Sequence, residues 1–242
     1  MPQFLENPFT PKSALPKKRL FGGEEKVVKR QLSQKGQERI NEAEKKYVKY
    51  GEYKILKKQV KFLEEVEKLL IEKSKEGGSE LSAEEAKKKI FKGIIGKNSF
   101  ERIETDNQGN IISIDFFDMG LEELPNLDDL KELQKLQCSW NDLYEMPNLD
   151  KNINLRELLC SQNNLRELPN LDNLTKLERL ECSENNLDFL PNLKKLVNLK
   201  FLSCKANNLH EDEFERIASE VPENCELELP SYGYDDDYEP YI

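Results

Sequence analysis

Apolar residues recur at fixed places in four consecutive stretches of this chain: LQKLQCSWNDL (Leu133 to Leu143), LRELLCSQNNL (Leu155 to Leu165), LERLECSENNL (Leu177 to Leu187) and LKFLSCKANNL (Leu199 to Leu209). The spacing is 22 residues. Cys138, Cys160, Cys182 and Cys204 keep it, as do Asn141, Asn163, Asn185 and Asn207 and the prolines Pro125, Pro147, Pro169 and Pro191. Within each stretch LxxLxC alternates apolar with polar positions, which predicts a short strand with Leu136 and Cys138 on one face and Gln137 and Ser139 on the other. A single strand of this kind cannot bury its apolar face. Stacked coils can, by pairing the strands in a parallel sheet and packing the Leu and Cys rows into one continuous core. The Asn after each strand is expected to turn its amide inward, where it satisfies backbone groups freed by the bend. The LPNL or MPNL that follows brings a proline with no donor, so the return path is expected to be irregular or a short tight helix.

An earlier unit becomes visible once the period is known, because Ile111, Ile114, Phe116, Leu121 and Pro125 sit 22 residues before their counterparts, with Met119 where the Asn would stand. In front of it, IETDNQGNIISIDF places a polar turn with Gly109 between two β-rich runs, which predicts a hairpin feeding the first coil. A repeat of 20 to 29 residues with the form LxxLxLxxNxL, here with Cys in the third apolar slot, resembles the leucine-rich repeat superfamily. The resemblance covers about residues 103 to 229, and the repeat length with LPNL is similar to the bacterial-type and internalin-like subclasses. It implies an α/β solenoid with a parallel β-sheet on its concave face, and it implies binding of another macromolecule on that sheet.

The flanks read differently. Residues 24 to 76 are rich in Lys, Glu, Gln and Leu, which favours helix. Leu56, Val60, Leu63, Val66 and Leu70 form one apolar stripe, and the part before Tyr50 reads as a separate helix. Gly77 and Gly78 end the stripe. Ser82 with Glu85 then forms the capping box of a further helix carrying Ala86, Ile90, Phe91, Ile94 and Ile95. These helices are expected to cap the first coil, which would otherwise leave its core open to water. At the other end Glu211 to Glu220 reads as a helix and Glu226 to Leu229 as a last short strand. The expected organisation is a disordered basic arm over 1–23, a helical region and cap over 24–98, the solenoid with its C-terminal cap over 99–229, and an acidic, tyrosine-rich tail over 230–242.

Charge adds a second asymmetry. Residues 1–100 hold 24 Lys and Arg against 15 Asp and Glu, a balance of +9, whereas residues 101–242 hold 13 against 32, a balance of −19. No apolar run approaches a membrane span, and MPQFLENPFTPKSALPKKRL lacks a secretory core, so a cytoplasmic location and no membrane contact are expected. The cysteines fit a reducing compartment.

Few residues could carry chemistry. Four sulfurs on successive coils form a row of roughly 15 Å at strand spacing, while zinc needs its ligands about 2.3 Å from one ion, so the Cys ladder reads as core rather than metal site. His210 is the single histidine, remote from any nucleophile that the pattern places, and reads as a surface or capping residue. No glycine-rich phosphate loop occurs, and no cofactor and no catalytic role are expected. The informative positions are those that the repeat leaves free on the concave strands: Ser113, Asp115 and Phe117, then Lys135, Gln137 and Ser139, Glu157, Leu159 and Ser161, Arg179, Glu181 and Ser183, and Phe201, Ser203 and Lys205. Phe117, Leu159 and Phe201 are apolar where the repeat does not require it, and Trp140 falls at the edge of the same face. The candidate partner-binding set is Asp115, Phe117, Gln137, Ser139, Trp140, Leu159, Ser161, Glu181, Ser183, Phe201, Ser203 and Lys205. Two functions follow as expectations. One is a non-catalytic scaffold holding a protein partner on the concave face. The alternative is a nucleic-acid or ribonucleoprotein-associated factor that binds through residues 1–100 while the acidic solenoid recruits a protein.

Overall fold

The strand periodicity sets the whole architecture. The computed structural model describes residues 47–50, 53–95 and 98–230; the basic arm, residues 24–46 of the helical region and residues 231–242 of the tail lie outside them. Its elements, in order, are β1 (Tyr47–Tyr50), β2 (Tyr53–Leu56), α1 (Lys57–Glu76), α2 (Ala83–Phe91), β3 (Lys92–Ile95), β4 (Asn98–Glu101), β5 (Ile103–Thr105), β6 (Ile111–Asp115), β7 (Lys135–Gln137), β8 (Glu157–Leu159), β9 (Arg179–Glu181), β10 (Phe201–Ser203), α3 (Glu211–Glu220) and β11 (Glu226–Glu228). Strands β5 to β11 form one seven-stranded sheet in sequence order. β5 and β6 are the antiparallel hairpin expected around Gly109, and every later pair is parallel. Register follows the period residue for residue: Ile114, Leu136, Leu158, Leu180 and Leu202 align as one column. All five are fully buried. This is the parallel-sheet solenoid that the 22-residue pattern implies.

The bends are held by the asparagines. Asn163 donates through Nδ2 to the carbonyls of Cys160 at 3.0 Å and Ser161 at 3.2 Å in its own coil and of Cys138 at 3.0 Å in the coil before. Its Oδ1 accepts from Leu143 N of that earlier coil at 3.0 Å. Asn141, Asn185 and Asn207 repeat the arrangement. Each amide therefore joins two coils while satisfying buried backbone groups, each of which would cost about 1–3 kcal/mol if left unpaired. The return path on the opposite side is a pair of tight turns, such as Leu174 N to Leu171 O and Leu177 N to Leu174 O, both 2.9 Å. The Asn of LPNL starts it by accepting from the backbone two residues on, as Asn170 Oδ1 does from Asp172 N at 3.0 Å. Asn152 stands in the column of Leu130, Leu174 and Leu196; fully buried, it donates to the carbonyls of Leu127 and Leu130 in the preceding coil.

Both ends are closed by helices. Phe62, Leu63, Val66 and Leu70 of α1 join the solenoid core, and the ring of Phe62 stacks on Phe116 at 6.1 Å. Buried Gln59 accepts from Ile111 N and donates to Asp129 O, fixing α1 against the first coil. The capping box of α2 is present: Glu85 N donates to Ser82 Oγ at 3.3 Å, and Ser82 N to Glu85 Oε2 at 2.9 Å. At the far end α3 replaces the tight return turns. Its Arg216 binds Glu213, Glu220 and the Leu190 carbonyl, and His210 is its exposed N-cap, accepting from Asp212 N.

Two segments differ from the helical expectation. Tyr47–Tyr50 and Tyr53–Leu56 form the antiparallel pair β1 and β2, so Leu56 ends a strand rather than starting the α1 stripe. Likewise α2 stops at Phe91, and Ile94 and Ile95 belong to β3, which pairs with β4. In both places Tyr, Val, Ile or Phe cluster beside a glycine, and this local β preference outweighs the helical average of the surrounding Lys and Glu.

The cysteine ladder lies in the core. Cys138, Cys160, Cys182 and Cys204 are fully buried, and burial pushes every thiol up from an ordinary 9.0, those of Cys160 and Cys204 to about 12. The folded chain thus retains protons that the unfolded chain loses between pH 9 and 12. Stability from these thiols is complete below that window and falls through it by about 1.4 kcal/mol per pH unit for each thiol. Urea unfolding across this window should show Cys160→Ala losing stability less steeply than the parent by about that slope; parallel curves would mean that the thiol ionises in the folded state.

Candidate functional site

The polar positions of the strands form columns across the concave face. In the first, Ser113, Lys135, Glu157, Arg179 and Phe201 lie in register. Lys135 pairs with Glu157 at 3.1 Å, and the Arg179 guanidinium lies 4.0 Å over the Phe201 ring while also pairing with Glu181. In the second, Asp115, Gln137, Leu159, Glu181 and Ser203 align. The third continues two residues on through Phe117, Ser139, Ser161, Ser183 and Lys205. There Ser183 N donates to Ser161 Oγ, and the Ser183 and Ser203 hydroxyls share a 2.7 Å hydrogen bond. Ser203 then donates to Glu228, which Lys205 also meets at 3.0 Å; these two contacts hold the Glu228 carboxyl below its ordinary range.

All twelve candidate residues lie on this face or at its edge, yet three are not exposed as the pattern suggested. Leu159 is 7% exposed, Ser139 5% and Ser203 6%. They point away from the core, and Leu159 is outside the core cluster, but side chains on the inner side of a curved sheet converge and cover one another. Ser161, Ser183, Gln137, Glu181, Asp115, Phe117 and Phe201 are half-buried, and Lys205 and Trp140 are exposed.

Trp140 is the outstanding member of the set. It is 54% exposed, and its ring lies 6.1 Å from that of Phe117 at 48°. It also has φ of 59°, and its counterparts in the other coils are left-handed as well: Asp118 at 53°, Gln162 at 54°, Glu184 at 55° and Ala206 at 49°. The chain turns left-handed here to aim the following Asn inward. No glycine or asparagine marks the position, so the sequence carried no signal of it.

Arg102 also escaped the sequence reading. From beside β5 it donates through Nη1 to the carbonyls of Asp115 and Phe117, both at 3.0 Å. The Phe117 carbonyl occupies the place of Ser139 O, which Asn141 satisfies one coil later. Arg102 therefore supplies the bond that Met119 cannot. Among the described residues no group of three or more His, Cys, Asp or Glu is placed to hold a metal.

No protein-family model matches the chain, and no curated protein matches it. Among solved structures it is similar to a leucine-rich repeat protein of Leptospira interrogans, with 35% identity over 42% of this chain and a TM-score of 0.40. It is also similar to YopM of Yersinia enterocolitica, with 30% identity over 48% and a TM-score of 0.38. A third is the functional domain of InlJ from Listeria monocytogenes, described as including a cysteine ladder, with 21% identity over 45% and a TM-score of 0.37. The chain spans only 26%, 22% and 27% of those three structures, respectively.

The left-handed conformation gives a way to weigh Trp140. Relief of the strain by glycine is worth about 1–2 kcal/mol, against about 0.5–1.5 kcal/mol for the lost ring contact and about 0.4–1 kcal/mol for the freer unfolded chain. Trp140→Gly should therefore unfold in urea within about 1 kcal/mol of the parent. A loss above about 2 kcal/mol would assign the ring to the fold itself.

Proposed function

We propose that this leucine-rich repeat solenoid is a non-catalytic scaffold that holds a protein partner on its concave face. The observation that carries the reading is the Phe117 and Trp140 pair: a large exposed ring at a strained backbone position to which the core makes no claim. Phe201, held by Arg179 farther along the sheet, is a second anchor. Half-buried Ser161 and Ser183 lie between the two and let a partner approach the backbone closely, with Ser139 covered beside them. Asp115, Gln137, Glu181 and Lys205 supply polar contacts around them, while Leu159 and Ser203, covered by their neighbours, support the face from beneath. Aromatic anchors of this kind concentrate binding energy, and truncation of one typically costs about 2 kcal/mol or more. A cytoplasmic, reducing setting belongs to this reading, in keeping with ladder cysteines that are free thiols. No helix among the described residues is long and apolar enough to cross a membrane.

The test is a double substitution, Trp140→Ala with Phe201→Ala. The melting temperature should stay near that of the parent while partner recovery in a pull-down is lost; a folded variant that recovers every partner at parental yield removes the concave face from the reading.

The +9 balance of residues 1–100 favours a second reading, in which that segment binds nucleic acid and the solenoid recruits a protein. On that reading the full chain binds a single-stranded RNA oligonucleotide with an affinity that drops steeply as salt rises. Absence of binding at low salt in a fluorescence titration would discard it.

A further inference from the structure

A groove of about 440 Å³ lies between α1 and the loops that follow β6 and β7. Half-buried Leu69 and buried Leu121 give it an apolar floor, and Tyr144 stands at its lip, 65% exposed. Its walls are acidic, with Glu72 and Glu76 from α1 and Glu122, Glu123 and Glu145 from the loops. Lys73 is the one cation among the described lining residues, and it is already committed to Glu122, with Asp142 at 3.8 Å. Glu72, Glu76, Glu123 and Glu145 make no ion pair among the described residues.

This differs from the concave face, where Lys135, Glu157, Arg179, Glu181, Lys205 and Glu228 compensate one another. Gathered like charges repel, and among the described lining residues Lys73 alone offsets them, in part. The carboxylates do not converge on a point as a metal site requires. They are instead spread along an amphipathic trough beside an exposed aromatic ring. Long cationic side chains match such a surface, because their methylene stems cover apolar floor while their heads remain with carboxylates and aromatic faces. Lys73 senses the same field: its pKa is raised, chiefly by the Glu122 hydrogen bond and further by Asp142 and Glu76.

We propose that this groove docks a lysine- and arginine-rich segment of a partner protein, with side-chain stems on Leu69 and Tyr144 and charged heads at Glu72, Glu76, Glu123 and Glu145. The surface is separate from the concave face and does not depend on the fate of the reading above.

The experiment is fluorescence anisotropy with the full chain and a labelled oligo-arginine peptide, with oligo-serine as the uncharged probe. The parent should bind oligo-arginine, with affinity falling as salt rises, and should not bind oligo-serine. Glu123→Gln with Glu145→Gln should weaken binding roughly tenfold, and Tyr144→Ala should weaken it as well. Glu211→Gln with Glu215→Gln, which removes the same charge from exposed positions on α3, should leave affinity unchanged, as should Trp140→Ala. The Glu123 and Glu145 double variant should also melt at or above the parental temperature, because repulsion is relieved. The proposal is overturned if the parent fails to bind oligo-arginine, or if the α3 variant weakens binding as much as the groove variant. It is equally overturned if Trp140→Ala has the effect expected of Tyr144→Ala, or if the groove variant melts below the parent, since those carboxylates would then be structural.

Discussion

A buried side-chain amide that must satisfy backbone groups on two coils at once is the constraint on which this structure rests. Each strand from β7 to β10 is only three residues long, too short for its own hydrogen bonds to fix the path of the coil. The chain has to leave the strand, turn sharply and expose carbonyls to the core. Asn141, Asn163, Asn185 and Asn207 collect those carbonyls and accept an N–H from the coil before. A net gain of about 0.5–1.5 kcal/mol per hydrogen bond is modest, but the loss of one amide would orphan several buried groups together. Stability therefore belongs to the junctions between coils as much as to the coils.

That junction also shapes the surface. Aiming the Asn inward requires the residue before it to adopt a left-handed conformation, and this places its side chain at the rim of the sheet. In four coils the rim residue is Asp118, Gln162, Glu184 or Ala206, and in one it is Trp140. The same backbone device that closes the core thus presents a large ring to solvent beside Phe117. Where the amide is missing, at Met119, Arg102 closes part of the gap, and its guanidinium ties the entry hairpin to the same end of the concave face.

Electrostatics divide the molecule into two kinds of surface. Charges on the concave sheet and along its edge are largely neutralised by residues one coil away, such as Arg156 and Lys200 about Glu178. Such pairs are exposed and worth little each. In the groove beside α1, carboxylates from a helix and from two loops meet with a single committed lysine among the lining residues. The two surfaces thus differ in how fully their charges are matched.

The sequence by itself determined everything that depends on residues 22 apart. Leu180, Cys182 and Asn185 repeat the roles of Leu158, Cys160 and Asn163 because stacked coils bring i and i+22 into contact, so the period specified the core columns, the amide bonds and the sheet order in advance. Ser82 and Glu85 were equally legible, since a capping box is a local arrangement within four residues. Tertiary structure alone decided what the period does not relate: the cover over Leu159, Ser139 and Ser203, the Phe117 and Trp140 contact, and the reach of Arg102. Those outcomes depend on the curvature of the sheet, on which rotamers neighbouring coils leave open, and on where the capping helix lies. The groove between α1 and the loops is the plainest case, because Glu72 and Glu145 come from segments with no common pattern and meet only once Phe62 and Gln59 have docked the helix on the first coil.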